Sequence, residues 1–294
     1  MEPVELLNFL KKRYRKESFK AALVGTYKEG RYVDPPSLQI SYHLLMTPMF
    51  LSVLIIAAFR DIWLQWAAGV VLITTSYLAL YTYLRRRCFT PDEIRVLKTN
   101  YGDIEYLRRN KLKLLENISI DGDYEIHYPP RNICVVNDKR ANAFTLSGPR
   151  GPVVYLTTGL LARLNTDEVY AVLEHEKGHV KYRHTEKLLA FLIAEYTLRL
   201  PLVHLVYVKY SILLLALHLI GAALLFTAVL QAFEFEADRY AARKDKEKLA
   251  SALVKLDWNG IVETLANPIA ARLTLLARTH PLTLDRLRKI NAIS

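Results

Sequence analysis

The chain has 294 residues, room for one large domain or two small ones. Apolar residues make up 52% and charged residues 23%, and the two segregate into charge-free blocks with the charges between them, which is not how a soluble enzyme distributes them. Lys and Arg number 40 against 29 Asp and Glu, a net +11; with no RNA-binding aromatic motif and no long basic tail, this surplus belongs beside membrane spans and speaks against a nucleic-acid partner.

Residues 1–34 read as a basic extension without the layout of a cleaved signal peptide. Within it, Glu5 to Leu23 sets Leu6, Leu7, Leu10, Tyr14 and Phe19 among Lys and Arg residues. A helix lying on lipid headgroups and a solvated helix packing on its own protein are both open there. Next come 25 uncharged residues, 35–59, and 23 more, 62–84. At about 1.5 Å per residue each crosses a hydrocarbon layer of roughly 30 Å. Only Arg60-Asp61 separates them, so 35–84 is expected to form a tight transmembrane hairpin, with Pro48 tolerated by its neighbours.

From Arg85 to Lys187 the character changes, and this stretch is expected to be the first part of a catalytic domain. Residues 85–118 read as a polar helical segment with Pro91-Asp92-Glu93 near its start. Asn132–Val136, Ala141–Leu146 and Val153–Thr157 are short β-rich runs parted by turn residues, predicting a small antiparallel sheet. Thr166-Asp167-Glu168 then opens a helix with acids in its first turn. A third apolar block, 188–208, is interrupted by Glu195 and Arg199, which at i,i+4 can neutralise each other on one face; whether it spans or only partly enters the bilayer stays open. The fourth block, 210–233, has 24 uncharged residues and is a clear span, closing a second hairpin over 188–233. Residues 234–294 return to a charged helical pattern, the second part of the catalytic domain.

Positive residues cluster before the first span, at Arg85-Arg86-Arg87, before the third span and after the fourth, whereas each opposite turn holds one, Arg60 or Lys209. That bias places both termini and the polar domain on the cytoplasmic side of the cell membrane. The fold class expected is a mainly α membrane protein: four transmembrane helices in two hairpins plus a cytoplasmic α+β catalytic domain. Cys88 and Cys134 form no C-x-x-C pair and read as two free thiols in a reducing compartment.

The chemistry sits in His175-Glu176-Lys177-Gly178-His179. Histidines four apart leave one face of a helix a turn apart, so both can reach one zinc ion at about 2.0–2.1 Å. Glu176 lies beside that ion without binding it, placed as a general base for water. A catalytic zinc site needs a third ligand and an open position. Glu234-Phe235-Glu236-Ala237-Asp238 offers one: Glu234 completes a His₂Glu set, and Asp238, one turn on, accepts a hydrogen bond from a ligand imidazole. Taken alone, these acids read as an exposed helix start after a span; the upstream His-Glu-x-x-His pair turns the balance. Glu236 points away from Glu234 by helical geometry and is the lesser option for the ligand. His204 and His218, inside apolar blocks, read as packed or interhelical polar contacts, His184 as a solvated residue of a basic turn, and His43 and His127 carry no constellation.

These two helices and the flanking apolar hairpins resemble the HtpX-type membrane metalloproteases, which share a gluzincin, zincin-like core with CAAX prenyl endopeptidases and mitochondrial Oma-type proteases. The likeness covers about residues 40–290. Asn142-Ala143-Phe144 is similar to the family's Asn-Ala-Phe edge strand, which implies substrate binding there by strand addition. Thr279-His280-Pro281 with Arg286 is similar to its C-terminal His-Pro…Arg motif, which implies that His280 and Arg286 lie near the site and steady an oxyanion; a helix-capping contact is the other reading of that pair. The resemblance further implies one zinc ion per chain, protein or peptide substrates drawn from damaged membrane proteins, and contact with the lipid bilayer. Two rivals stay open: a CAAX-type prenyl endopeptidase, against which four spans are too few to enclose a chamber, and a non-enzymatic membrane scaffold or transporter. The N-terminal extension is longer than the family pattern, and nothing in the sequence sets an oligomeric state.

Overall fold

A computed structural model of the chain describes residues 26–28, 31–33, 51–56, 58–85, 133–136, 140–207, 212–275 and 280–293. Strands β1 (Thr26–Lys28) and β2 (Arg31–Val33) pair antiparallel inside the stretch read as a plain extension. The helix considered over 5–23, the polar segment over 86–118 and most of the first expected span lie outside the described residues, although 51–56 are helical.

Helix α1 (Ile62–Arg85) starts at the expected break: Asp61 Oδ1 accepts from the Leu64 amide at 2.8 Å, an N-cap. Gln65, 1% exposed, donates through Nε2 to the carbonyls of Ile56 (3.0 Å) and Phe59 (2.7 Å). Carbonyls at a helix end have no intrahelical donor, and the buried side-chain amide supplies one. Three helices among the described residues are long and apolar enough to cross a membrane: Ile62–Arg85, His184–Leu205 and Leu213–Leu256. The interrupted third block is thus a full-length helix, α4 (His184–Leu202), which continues past Pro201 as a π-helical turn, Val203–Tyr207. Its charges face inward. Arg199 is fully buried, with Nε 3.0 Å from Glu195 Oε1 and NH2 donating to Ser52 Oγ at 2.8 Å, while His218 Nε2 lies 3.2 Å from the same Glu195 oxygen. His204 meets Gln65 at 2.7 Å, so both intramembrane histidines make the interhelical polar contacts expected of them.

The fourth span and the Glu234 helix are one element, α5 (Ile212–Leu256), unbroken across the expected boundary at 233/234. Its apolar half leaves Leu213, Leu217 and Ile220 more than half exposed, a surface suited to lipid. It departs from helical geometry at Asp245, whose Oδ1 caps the restarted helix through the Lys248 amide at 2.9 Å.

The three strands β3 (Ile133–Val136), β4 (Ala143–Gly148) and β5 (Gly151–Thr157) form a sheet in the order β3-β5-β4. It is mixed rather than antiparallel: β4 pairs antiparallel with β5, but β3 pairs parallel with it. Alternation of apolar residues marks a strand without naming its neighbour, so the sequence could not give this order. β4 is an outer strand, as strand addition requires. On β5, Val153 and Tyr155 face a core shared with α1, α4 and α5, whereas Val154 and Leu156 face α2 (Thr158–Arg163) and α3 (Thr166–Lys181). The sheet is therefore a layer between the membrane helices and α3. Helices α6 (Trp258–Ala266), α7 (Pro268–Leu275) and α8 (Thr283–Lys289) complete the chain, with α8 packed on α5 through Leu284 and Leu287. Cys134 is disulfide-bonded, which overturns the free-thiol reading for it; sequence separation carries no information about which sulfurs approach within bonding range.

Breaking the Glu195–Arg199 pair from one side strands a buried charge. Arg199→Met is expected to cost about 3–5 kcal/mol, and adding Glu195→Gln to recover most of it. Thermal unfolding of the detergent-solubilised variants measures both.

Candidate metal centre

Helix α3 is fixed at its start by a capping box, in which Asn165 Oδ1 accepts from the Glu168 amide (2.9 Å) and Glu168 Oε2 from the Asn165 amide (2.8 Å). The cap lies one residue before the Thr166 read from the sequence. Glu168 also binds Lys255 (2.8 Å) and Ser251 (2.7 Å), tying the start of α3 to α5. Nearer its end, α3 approaches α5 at Gly178: a Cβ there would lie 2.9 Å from the Cα of Ala237.

This approach brings the expected ligands together. His175 Nε2 and His179 Nε2 lie 3.1 Å apart. Glu234 straddles them, Oε2 3.6 Å from His175 Nε2 and Oε1 3.4 Å from His179 Nε2. These are the residues among those described whose ligand atoms converge within 4.8 Å as a candidate metal site. Four ligands at about 2.0–2.1 Å in a tetrahedron stand roughly 3.3–3.4 Å from one another. The spacings found match, so the donor set fits zinc.

Each ring is also held from behind. His175 Nδ1 is 2.9 Å from Asp238 Oδ1, as expected of Asp238, and Arg286 donates to both oxygens of that carboxylate at 2.7 Å. His179 Nδ1 is 2.9 Å from His184 Nδ1, and His184 Nε2 is 2.9 Å from Glu236 Oε2. With the Nε2 lone pair of His179 turned to the metal position, its Nδ1–H donates to His184, whose proton then sits on Nε2 toward Glu236. His184 is therefore not solvated: it is 4% exposed and stacks on Phe233 at 4.2 Å. Spacing concealed it, because five residues along a continuous helix turn about 140° away. The chain instead breaks at Tyr182-Arg183, with Arg183 in the left-handed region at φ 55°, and turns His184 back onto His179.

Glu176 is buried, and Thr145 Oγ1–H on β4 donates to its Oε2 at 2.7 Å, a partner that strand alternation does not reveal. His280 and Arg286 both come to the site. His280 Nδ1 is 3.1 Å from Glu234 Oε2, and Arg286 NH2 is 3.4 Å from the same oxygen. Arg286 is thus engaged by two carboxylates, whereas the His280 side chain is 45% exposed in the cleft. That cleft, about 490 Å³, is lined by Asn142, Ala143, Phe144 and Thr145 of the β4 edge region and by the metal-centre residues. Phe144 is mostly buried, stacked on Tyr155 at 4.8 Å.

Residues 113–294, more than half the chain, match the profile of peptidase family M48. The chain belongs to that family. The matched stretch contains every residue of the centre, and the M48 assignment makes the chain a metallopeptidase, in agreement with the HtpX-type resemblance. A Protease HtpX of Legionella pneumophila is 28% identical over 198 residues, 56% of this chain and 71% of that protein. A Protease HtpX homolog of Pyrococcus abyssi is 31% identical over 196 residues, 55% of this chain and 68% of that one. Among solved structures, S. mikatae Ste24p shares the fold with a TM-score of 0.51 and 17% identity. That alignment covers 85% of this chain and 63% of Ste24p, so the chain spans less than two thirds of it.

Burial disfavours a charged His175 ring, but the Asp238 and Glu234 carboxylates outweigh it and raise its pKa from 6.5 to about 10. In the metal-free protein this ion pair is fully present below the ordinary histidine value and is lost as pH rises through about 10. A metal needs the neutral ring, so uptake near pH 7 is expected to release protons and affinity to increase with pH. Metal titration in weak buffer with a pH indicator checks this; uptake without proton release contradicts it. His184→Ala is expected to weaken metal binding about 10–100-fold, read by chelator competition.

Proposed function

We propose that this M48 metallopeptidase is a zinc endopeptidase that hydrolyses peptide bonds in damaged or misassembled membrane proteins. The observation that carries the reading is the convergence of His175, His179 and Glu234 beside a buried Glu176 that is held from the β4 edge strand. When bound, zinc supplies Lewis acidity, polarising a carbonyl and lowering the pKa of a water toward about 7. An extended peptide adds to β4 near Asn142, Ala143 and Phe144, with backbone hydrogen bonds giving affinity and register. Glu176, oriented by Thr145, takes the proton of the attacking water and later returns it to the leaving amine. His280, in the cleft beside Glu234, steadies the developing oxyanion, and Arg286 acts through the Asp238 and Glu234 carboxylates.

Membrane substrates are favoured by position. Glu234 follows the charge-free run ending at Phe233 within one helix, which supports a centre close to the bilayer surface. The positive-charge bias supports a cytoplasmic catalytic domain in the cell membrane. One observation favours the opposite face, the disulfide at Cys134, because such bonds are rare in reducing compartments outside hyperthermophiles. Protease accessibility of the domain in sealed vesicles separates the two orientations.

Glu176→Gln is expected to keep its metal and to lose about 10²–10⁴-fold in turnover of an unfolded membrane protein. Undiminished turnover in that variant removes Glu176 as the base.

A further inference from the structure

A second cavity opens off the metal centre on the membrane side, with a volume of about 380 Å³. That is more than twice the roughly 150 Å³ that holds a benzene-sized group in a dry protein interior. Its walls come from three membrane helices, among them Leu80 of α1, Leu188 and Leu192 of α4 and Leu230 of α5. At its inner end stand Thr145, His179, Glu234 and His280, which also line the cleft along β4. Toward the outside it is bounded by Leu51 and Tyr83, 43% and 48% exposed on the apolar helix surface. The cavity therefore runs from the metal centre between apolar helix walls toward partly exposed apolar side chains.

The wall and the edge strand are fixed to each other. The Tyr77 hydroxyl on α1 donates to the Ser147 carbonyl at the end of β4, and the Tyr81 ring fills the space where a Cβ on Gly148 would sit, 2.5 Å away. A peptide lying along β4 passes from the cleft beside Asn142 to Thr145 and Leu146, where the cavity begins, a step of a few residues at about 3.3 Å each. Its side chains at that point meet leucines rather than water. A free acyl chain lacks the backbone groups that β4 pairs with, so continuity with the edge strand singles out a polypeptide.

We propose that this cavity binds apolar side chains of the substrate adjacent to the scissile bond, so that the enzyme selects cleavage sites at the end of an apolar segment. The proposal rests on the peptidase reading above and names the substrate chemistry that reading leaves open.

The test uses zinc-loaded full-length protein in detergent and two fluorogenic peptides, one with Leu-Phe and one with Ser-Ser beside the cleaved bond. The wild type is expected to favour the apolar peptide by about tenfold or more in kcat/KM. Ser76→Phe and Ala79→Phe fill the cavity from neighbouring turns of α1 and are expected to bring that ratio toward one; two variants guard against a failure of either to fold. Peptide binding to the Glu176→Gln protein is read in parallel by fluorescence anisotropy. Tenfold tighter binding of the apolar peptide, with no cleavage by the wild type, sinks the peptidase reading and leaves the cavity assignment standing. Equal affinities and rates for the two peptides overturn the assignment. So does a preference undiminished in both filled variants, or a co-purified lipid that Ser76→Phe expels without altering peptide preference.

Discussion

The separation of α3 and α5 governs the metal centre. Gly178 faces Ala237 so closely that a single methyl group would press on the α5 backbone. Glu234 and Asp238 lie three residues before and one after that contact, so they face the His175–His179 stripe directly. A side chain at 178 would spread the helices and open the 3.4 and 3.6 Å gaps between Glu234 and the two rings. Overpacking of this kind costs typically about 1–3 kcal/mol, and ligand geometry fails before the fold does. Because α5 is also a membrane helix, packing inside the bilayer bears on the position of a metal ligand.

Burying this much charge requires compensation. Glu234, Asp238 and Arg286 are balanced by one another and by His175 and His280, and the second ligand ring is backed by His184 and Glu236. A buried charge left without a partner is far costlier than a complete network, so the outer residues are part of what makes the ligand set sustainable. The same logic recurs in the membrane half, where Arg199, Glu195, Ser52 and His218 close a network between helices.

Much of this was legible in the sequence because it rests on local periodicity. Charge-free runs marked α1 and the first half of α5 as span-length helices, the interrupted run that forms α4 left its spanning open, and i,i+4 spacing gave His175, His179, Glu234 and Asp238. What stayed hidden depends on non-local geometry. The parallel pairing of β3 with β5 follows from strand order, which alternation does not encode. His184 reaches His179 only because Arg183 adopts a left-handed backbone, and Glu236 finds that histidine from another helix. Thr145 meets Glu176 across the junction of sheet and helix, and no sequence pattern marks Cys134 as disulfide-bonded.

The central claim is that two imidazoles from α3 and one carboxylate from α5 bind a single zinc ion. Elemental analysis of the purified chain beside a Glu234→Ala variant tests it most directly. The account predicts one zinc per chain in the wild type and its loss from the variant. Absence of stoichiometric zinc from the wild type, or full retention without the Glu234 carboxylate, would contradict it.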